Sequence, residues 1–197
     1  MNSWEVDTNH QISSNQDILN MNGAERKILL QFCERWKKKV KQEPLDNNLE
    51  HYFDHFVASY IIYNAIYSKI TNGNGDRDMA VKGIKKYLIK NNIIDKITTC
   101  EQVATILKAF DKFHFCNRPN PKTKNDDEHL KLKLQSAEQK ERIHGILWLI
   151  YEVRCNLFHG EKGYEEKQKA LLRPLCEILD SVDDALIQAI NSCSPCG

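Results

Sequence analysis

Glycine and proline, the two residues that break helix interiors, are scarce in this chain, at eight and five of 197 residues. Clean alternation of apolar and polar residues over four to eight positions is missing too, outside segments that also fit a helix, so no strand is expected. No apolar run approaches the ~18 residues a membrane span requires, and no basic start leads into an apolar stretch as a targeting leader would. The expectation is a cytoplasmic chain with no membrane partner. A surplus of one charge is absent as well. The formal net charge is +1 with a pI near 7.6, so no global field advertises a polyanionic partner. Gly73-Asn74-Gly75 lacks the downstream lysine and preceding strand of a phosphate loop. Seven cysteines, odd in number and scattered through helical patterns, fit a reducing compartment better than a disulfide framework.

What remains is ordinary globular material, 41% hydrophobic and 28% charged, enough for one core. The fold class expected is all-α, a single-domain helical bundle of about five to six helices. Residues 1–20 form a loosely ordered polar leader, 21–190 the helical domain, and 191–197 a C-terminal tail. Within the domain, apolar residues at three- and four-residue spacing mark helices over 24–42, 49–71, 77–91, 100–113, 130–158 and 165–190. The second should be central, since its latter half is apolar around most of its circumference. Asn64 lies within it and needs partners if buried. Residues 116–129 carry two prolines and alternating charges, and read as an exposed loop. Pro174 should bend or break the last helix.

The segment at the end of the fifth helix, Tyr151-Glu152-Val153-Arg154-Cys155-Asn156-Leu157-Phe158-His159-Gly160, differs from the rest. On a wheel at ~100° per residue, Ile143, Leu147, Ile150, Leu157 and Phe158 cluster on one side, and Arg154 falls near the middle of that cluster. A guanidinium so placed must find a carboxylate, a carbonyl array or a ligand phosphate. Glu152, Asn156 and His159 share the opposite side. Arg154 and His159 are thus about 140° apart, and converge only if the last turn loosens before Gly160 or two copies of the helix face each other. The plain alternative is a structural salt bridge for Arg154 and a helix-capping role for His159.

The run from Arg154 to Gly160, an arginine followed after four residues by a histidine at the end of an apolar helix, resembles the signature of HEPN-superfamily domains. The stretch from Phe56 to Tyr67 is similar to an N-terminal helix of that fold. The resemblance implies a HEPN-like helical bundle that forms homodimers, with the arginine and histidine of both protomers lining a shared cleft. It also implies a metal-independent endoribonuclease with no cofactor, or a non-catalytic module binding a nucleotide or a protein partner. Catalytic candidates are Arg154, Asn156 and His159. Active relatives often place a polar residue directly after the arginine, whereas Cys155 stands there and Asn156 follows. The expected partner is single-stranded or looped RNA, with an antitoxin protein if the chain is a toxin or defence effector.

The residue types suit that chemistry on their own account. RNA is cleaved when its 2′-hydroxyl attacks the adjacent phosphate, which requires removal of one proton, donation of another and stabilisation of negative charge. Histidine titrates near neutrality and arginine offers a planar, permanent cation to phosphate oxygens. Other constellations are thinner. His51 and His55 share a helix face but lack a third ligand motif, and Cys193-Ser194-Pro195-Cys196 is a lone Cys-x-x-Cys pair. Two lysine-rich patches, 35–41 and 82–90, read as solvated helix faces or local anion contacts.

Overall fold

The first helix, α1 (Gly23–Gln42), starts on a reciprocal cap. Asn22 Oδ1 accepts from the backbone N–H groups of Ala24 and Glu25 at 3.0 and 2.9 Å, and the Glu25 carboxylate accepts from Asn22 N at 3.0 Å. Two orphan ends of the first turn are thereby satisfied at once. The computed structural model describes residues 21–42, 48–97, 100–109, 126–158 and 168–192. Among them are seven α-helices and no strand: α1, α2 (Leu49–Ile70), α3 (Ile84–Lys90), α4 (Cys100–Ala109), α5 (Asp126–Leu134), α6 (Gln139–Phe158) and α7 (Lys169–Ser192). The chain is an all-helical bundle.

The extra helix comes from a break in the expected 130–158 segment. Ser136 Oγ accepts from Glu138 N at 3.1 Å, and the chain turns there between α5 and α6. Asp126, Asp127 and Glu128, read as part of a loop, instead occupy the first turn of α5, where carboxylates favour the positive end of the helix dipole. Residues 116–125, the remainder of that expected loop, lie outside the described residues. Pro174 does not break α7. Ile28, whose four-residue spacing from Phe32 and Trp36 fits the packed face of α1, is 67% exposed, and Asn64 is exposed, so it raises no question of burial.

The centre of the bundle is α2, capped by Asn48, which accepts from Glu50 N at 3.1 Å. Helices α1 and α7 pack against it, α4 packs on α7, and α5 packs on α6. Tyr60, Tyr63 and Tyr67 lie along one stripe of α2, with ring centroids 5.8 and 5.3 Å apart, and all three are buried. After α2 the chain reverses through Thr71, whose Oγ1 donates to the Tyr67 carbonyl at 2.7 Å. A π-helical segment, Asp78–Gly83, leads into α3. Gly83 lets that segment approach Thr71: a Cβ there would lie 2.6 Å from Thr71 Cβ. Helix α3 ends in a Schellman cap, with Asn92 at φ 53° and Ile93 N donating to Leu88 O at 3.1 Å. Glu141 of α6 then accepts from Lys85 of α3 at 2.6 Å and Lys133 of α5 at 2.5 Å. Their ammonium groups hold its carboxyl down at about 2.

Helix α7 presents three carboxylates to α1 and α2. Asp180 accepts from His55 and Ser59, each at 2.8 Å, and Asp184 pairs with Lys37. Asp183 is buried at 1% exposure, and among the described residues neither of its oxygens has a hydrogen-bond partner. Burial, reinforced by Asp180 and only partly offset by Lys37, pushes its carboxyl well above the usual range. The same burial, with Asp183 nearby, pushes the Cys33 thiol up to about 12.

Two stability predictions follow from this packing. For Asp183 the folded state raises the pKa, so its contribution is most favourable below the unfolded value near 3.9 and is lost as pH rises towards the folded value. Asp183→Asn, which cannot ionise, should therefore be more stable than the wild type at pH 7, by about 1–3 kcal/mol. In urea unfolding this advantage should shrink as pH falls to about 4. An equal difference at both pH values would mean that the carboxyl is not held neutral. Gly83→Ala meets a hydrogen-bonded, branched neighbour, and the ~1–3 kcal/mol of overpacking outweighs the ~1 kcal/mol of helix propensity it gains. Its urea midpoint should fall. A raised midpoint would show that Thr71 moves aside.

Candidate functional site

Arg154 projects from the last turns of α6 towards α2, and its side chain is 30% exposed. Its guanidinium carbon lies over the Tyr60 ring, 5.5 Å from the centroid. Nη1 is 4.0 Å from Asp76 Oδ2 and 3.8 Å from the Cys155 sulfur. The guanidinium thus found a carboxylate and an aromatic face, as its place on the wheel required. Burial works against its charge, but Cys155, Tyr60 and Asp76 together raise its pKa above the ordinary arginine value.

The partners form a circuit. Tyr67 donates its hydroxyl to Asp76 Oδ1 at 2.5 Å, and the Tyr60 and Tyr67 hydroxyls are 3.5 Å apart. Asp76 approaches Arg154, and Arg154 closes back on Tyr60. Burial first of all raises the pKa of both tyrosines, so they remain protonated donors. Tyr151, one turn before Cys155, is pushed up to about 12 by burial and then by that thiol.

The next residue of the turn makes a second link. Arg77 Nη2 lies 3.2 Å from Glu152 Oε1, and its guanidinium sits over the Trp148 ring at 5.1 Å. Glu152 also accepts from Trp148 Nε1 at 2.9 Å. Adjacent residues Asp76 and Arg77 therefore meet Arg154 and Glu152 in crossed charge order. Glu152, on the opposite side of the wheel from Arg154, is well covered: Arg77 and Trp148 both reach it, and its side chain is 15% exposed.

The expected triad is only partly in view. Asn156 is half-buried, two residues beyond Arg154 on α6. His159 and Gly160 lie outside the described residues, as do the Cys193 and Cys196 pair. Asp76, Tyr60 and Tyr67, none of them a site candidate from the sequence, make up the circuit around Arg154. The available signal was the opposed order of Asp76-Arg77 against Glu152-x-Arg154, next to a glycine-rich turn.

The rival constellations resolve differently. His55 is engaged by Asp180, and among the described residues no group of three His, Cys, Asp or Glu side chains is arranged to hold a metal ion. Several lysines of the basic patches are paired: Lys37 with Asp184, Lys38 with Glu34, Lys82 with Asp78 and Lys85 with Glu141. Among the described residues no helix is long and apolar enough to cross a membrane. No family model, curated protein or solved structure matches this chain.

A double-mutant cycle separates the two links. Arg77 and Glu152, closer and better covered, should couple by about 1 kcal/mol in urea unfolding, whereas Asp76 and Arg154 at 4.0 Å should couple by about 0.5 kcal/mol or less. A reversed order would make Arg154 chiefly a structural cation.

Proposed function

We propose that the chain is a HEPN-type, metal-independent endoribonuclease acting on single-stranded or looped RNA as a homodimer, with Arg154, Asn156 and His159 as its catalytic residues. The observation that carries this reading is the setting of Arg154. A partly exposed guanidinium is held on an aromatic ring and beside a carboxylate, five residues before His159. In the proposed reaction the 2′-oxygen bonds to the neighbouring phosphorus and the bond to the 5′-oxygen breaks. Histidine removes the 2′-hydroxyl proton or supplies one to the departing 5′-oxygen, so the products end in a 2′,3′-cyclic phosphate and a 5′-hydroxyl. Arg154 offsets charge on the phosphorane, and Asn156 orients the phosphate or the imidazole. A toxin or defence effector, restrained by an antitoxin protein, is the biological role this activity suits.

A second reading is favoured by Asp76. A carboxylate beside Arg154 competes with phosphate, which suits a non-catalytic helical module that uses the same region to bind a nucleotide or a protein partner.

Cleavage of a labelled single-stranded RNA with chelator present decides between them. The wild type should cut it and leave cyclic phosphate ends. Arg154→Ala and His159→Ala should each lose about 100-fold or more in rate while keeping the helical circular dichroism signal. No cleavage by the wild type, or equal cleavage by the double variant, would sink the enzymatic reading.

A further inference from the structure

A groove of about 280 Å³ opens between α1 and α2 and shares no residue with the circuit around Arg154. Val57 and Ile61 give it an apolar floor, and Trp36 supplies an aromatic side. Val40 and Ala58 add to the apolar lining, and the polar groups are Lys39 from α1 and His51, Asp54 and His55 from α2. An apolar slot with a few convergent polar groups is the usual form of a small-molecule site, and this volume lies near the lower end of that range.

The cation is the informative member. Its neighbours Lys37 and Lys38 pair with Asp184 and Glu34, but Lys39 Nζ rests over the Trp36 ring at 4.2 Å. Among the described residues no carboxylate lies within ion-pair distance of it. An exposed ammonium held by an indole alone gains a stronger partner when an anion arrives. Asp54, also exposed, is the complementary group: a carboxylate accepts only, so it suits the N–H edge of a ring. His55 is already committed to Asp180.

We propose that this groove binds a mononucleotide, with the base against Trp36, its N–H edge towards Asp54 and its phosphate on Lys39. An aromatic carboxylic acid would satisfy Trp36 and Lys39 but offer nothing to Asp54. Inorganic phosphate would meet Lys39 and leave the apolar floor uncovered. Guanine, with two adjacent N–H donors on one edge, meets a carboxylate best.

Isothermal titration of the full chain with guanosine 5′-monophosphate tests this directly. Saturable binding is expected, weaker by about tenfold or more for guanosine, which lacks the phosphate, and for benzoate, which lacks the N–H edge. Lys39→Ala and Trp36→Leu should each weaken nucleotide binding by a similar factor. Lys39 is exposed, so its variant should keep the fold, as circular dichroism would verify. Binding should survive in Arg154→Ala/His159→Ala, which separates this site from the proposed ribonuclease centre. Absence of binding at millimolar nucleotide, or full binding by the Lys39→Ala variant, overturns the proposal.

Discussion

Three buried phenols on one helix constrain much of this structure. Tyr60, Tyr63 and Tyr67 bury their rings along α2, and a buried hydroxyl left without a partner costs about as much as a lost hydrogen bond. Each therefore needs an oxygen brought to it from elsewhere. Tyr63 donates to the Ala80 carbonyl, which lies in the π-helical segment. Carbonyls have two lone pairs, so this bond is compatible with helical pairing there. Tyr67 takes Asp76 from the turn just before that segment, and Tyr60 lies beside Tyr67. The chain reversal after α2 is thus anchored to α2 itself. Gly83, bare against Thr71, permits the approach this requires.

Identical carboxyl chemistry is driven in opposite directions by its surroundings. Glu141 stands between two ammonium groups that join α3 and α5 to α6, and its proton is held only in strong acid. Asp183 lies three residues beyond Asp180 on α7, near the same face, but without a donor. Asp180 has His55 and Ser59, and Asp184 has Lys37, so the available donors are engaged by the carboxylates on either side. Lys37 of α1 only partly offsets the burial of Asp183, and the Cys33 thiol and Tyr63 hydroxyl nearby bring no positive charge. A neutral acid is the form this environment tolerates.

Helical class and most helix positions were legible because they rest on periodicity, which local sequence carries. The 49–71 segment reads as the central element for the same reason, and the cap at Asn48 lies in an Asp-Asn-Asn run ahead of an apolar stretch. The break at 135–138 was not, since neither glycine nor proline stands there and only Ser136 marks the turn. Ile28 was misplaced because a wheel identifies an apolar stripe but not how much of it a neighbour covers. The wheel divided α6 into a packed and an open side, but neighbours cover both: Arg154 is 30% exposed and Glu152, opposite it, 15%. Nor could a wheel name Asp76 or Tyr60 as neighbours of Arg154, because those contacts span 78 and 94 residues of chain and depend on how the 71–77 turn folds.

The placement of Asp76 decides how the Arg154 cation would meet a phosphate in the proposed reaction. A carboxylate in bidentate contact would occupy the fork that a phosphodiester needs. Asp76 is not so placed: its Oδ1 is held by Tyr67 at 2.5 Å, and its Oδ2 stays 4.0 Å from Nη1, the outer limit of an ion pair. With both side chains partly exposed, such a pair contributes at most about 1 kcal/mol. A charge-assisted contact at ordinary hydrogen-bond length is about twice as strong as a neutral one and would prevail over it. Tyr67 therefore does more than satisfy its own hydroxyl. By holding Asp76 back, it keeps that carboxylate close enough to orient the guanidinium and out of bidentate contact with it.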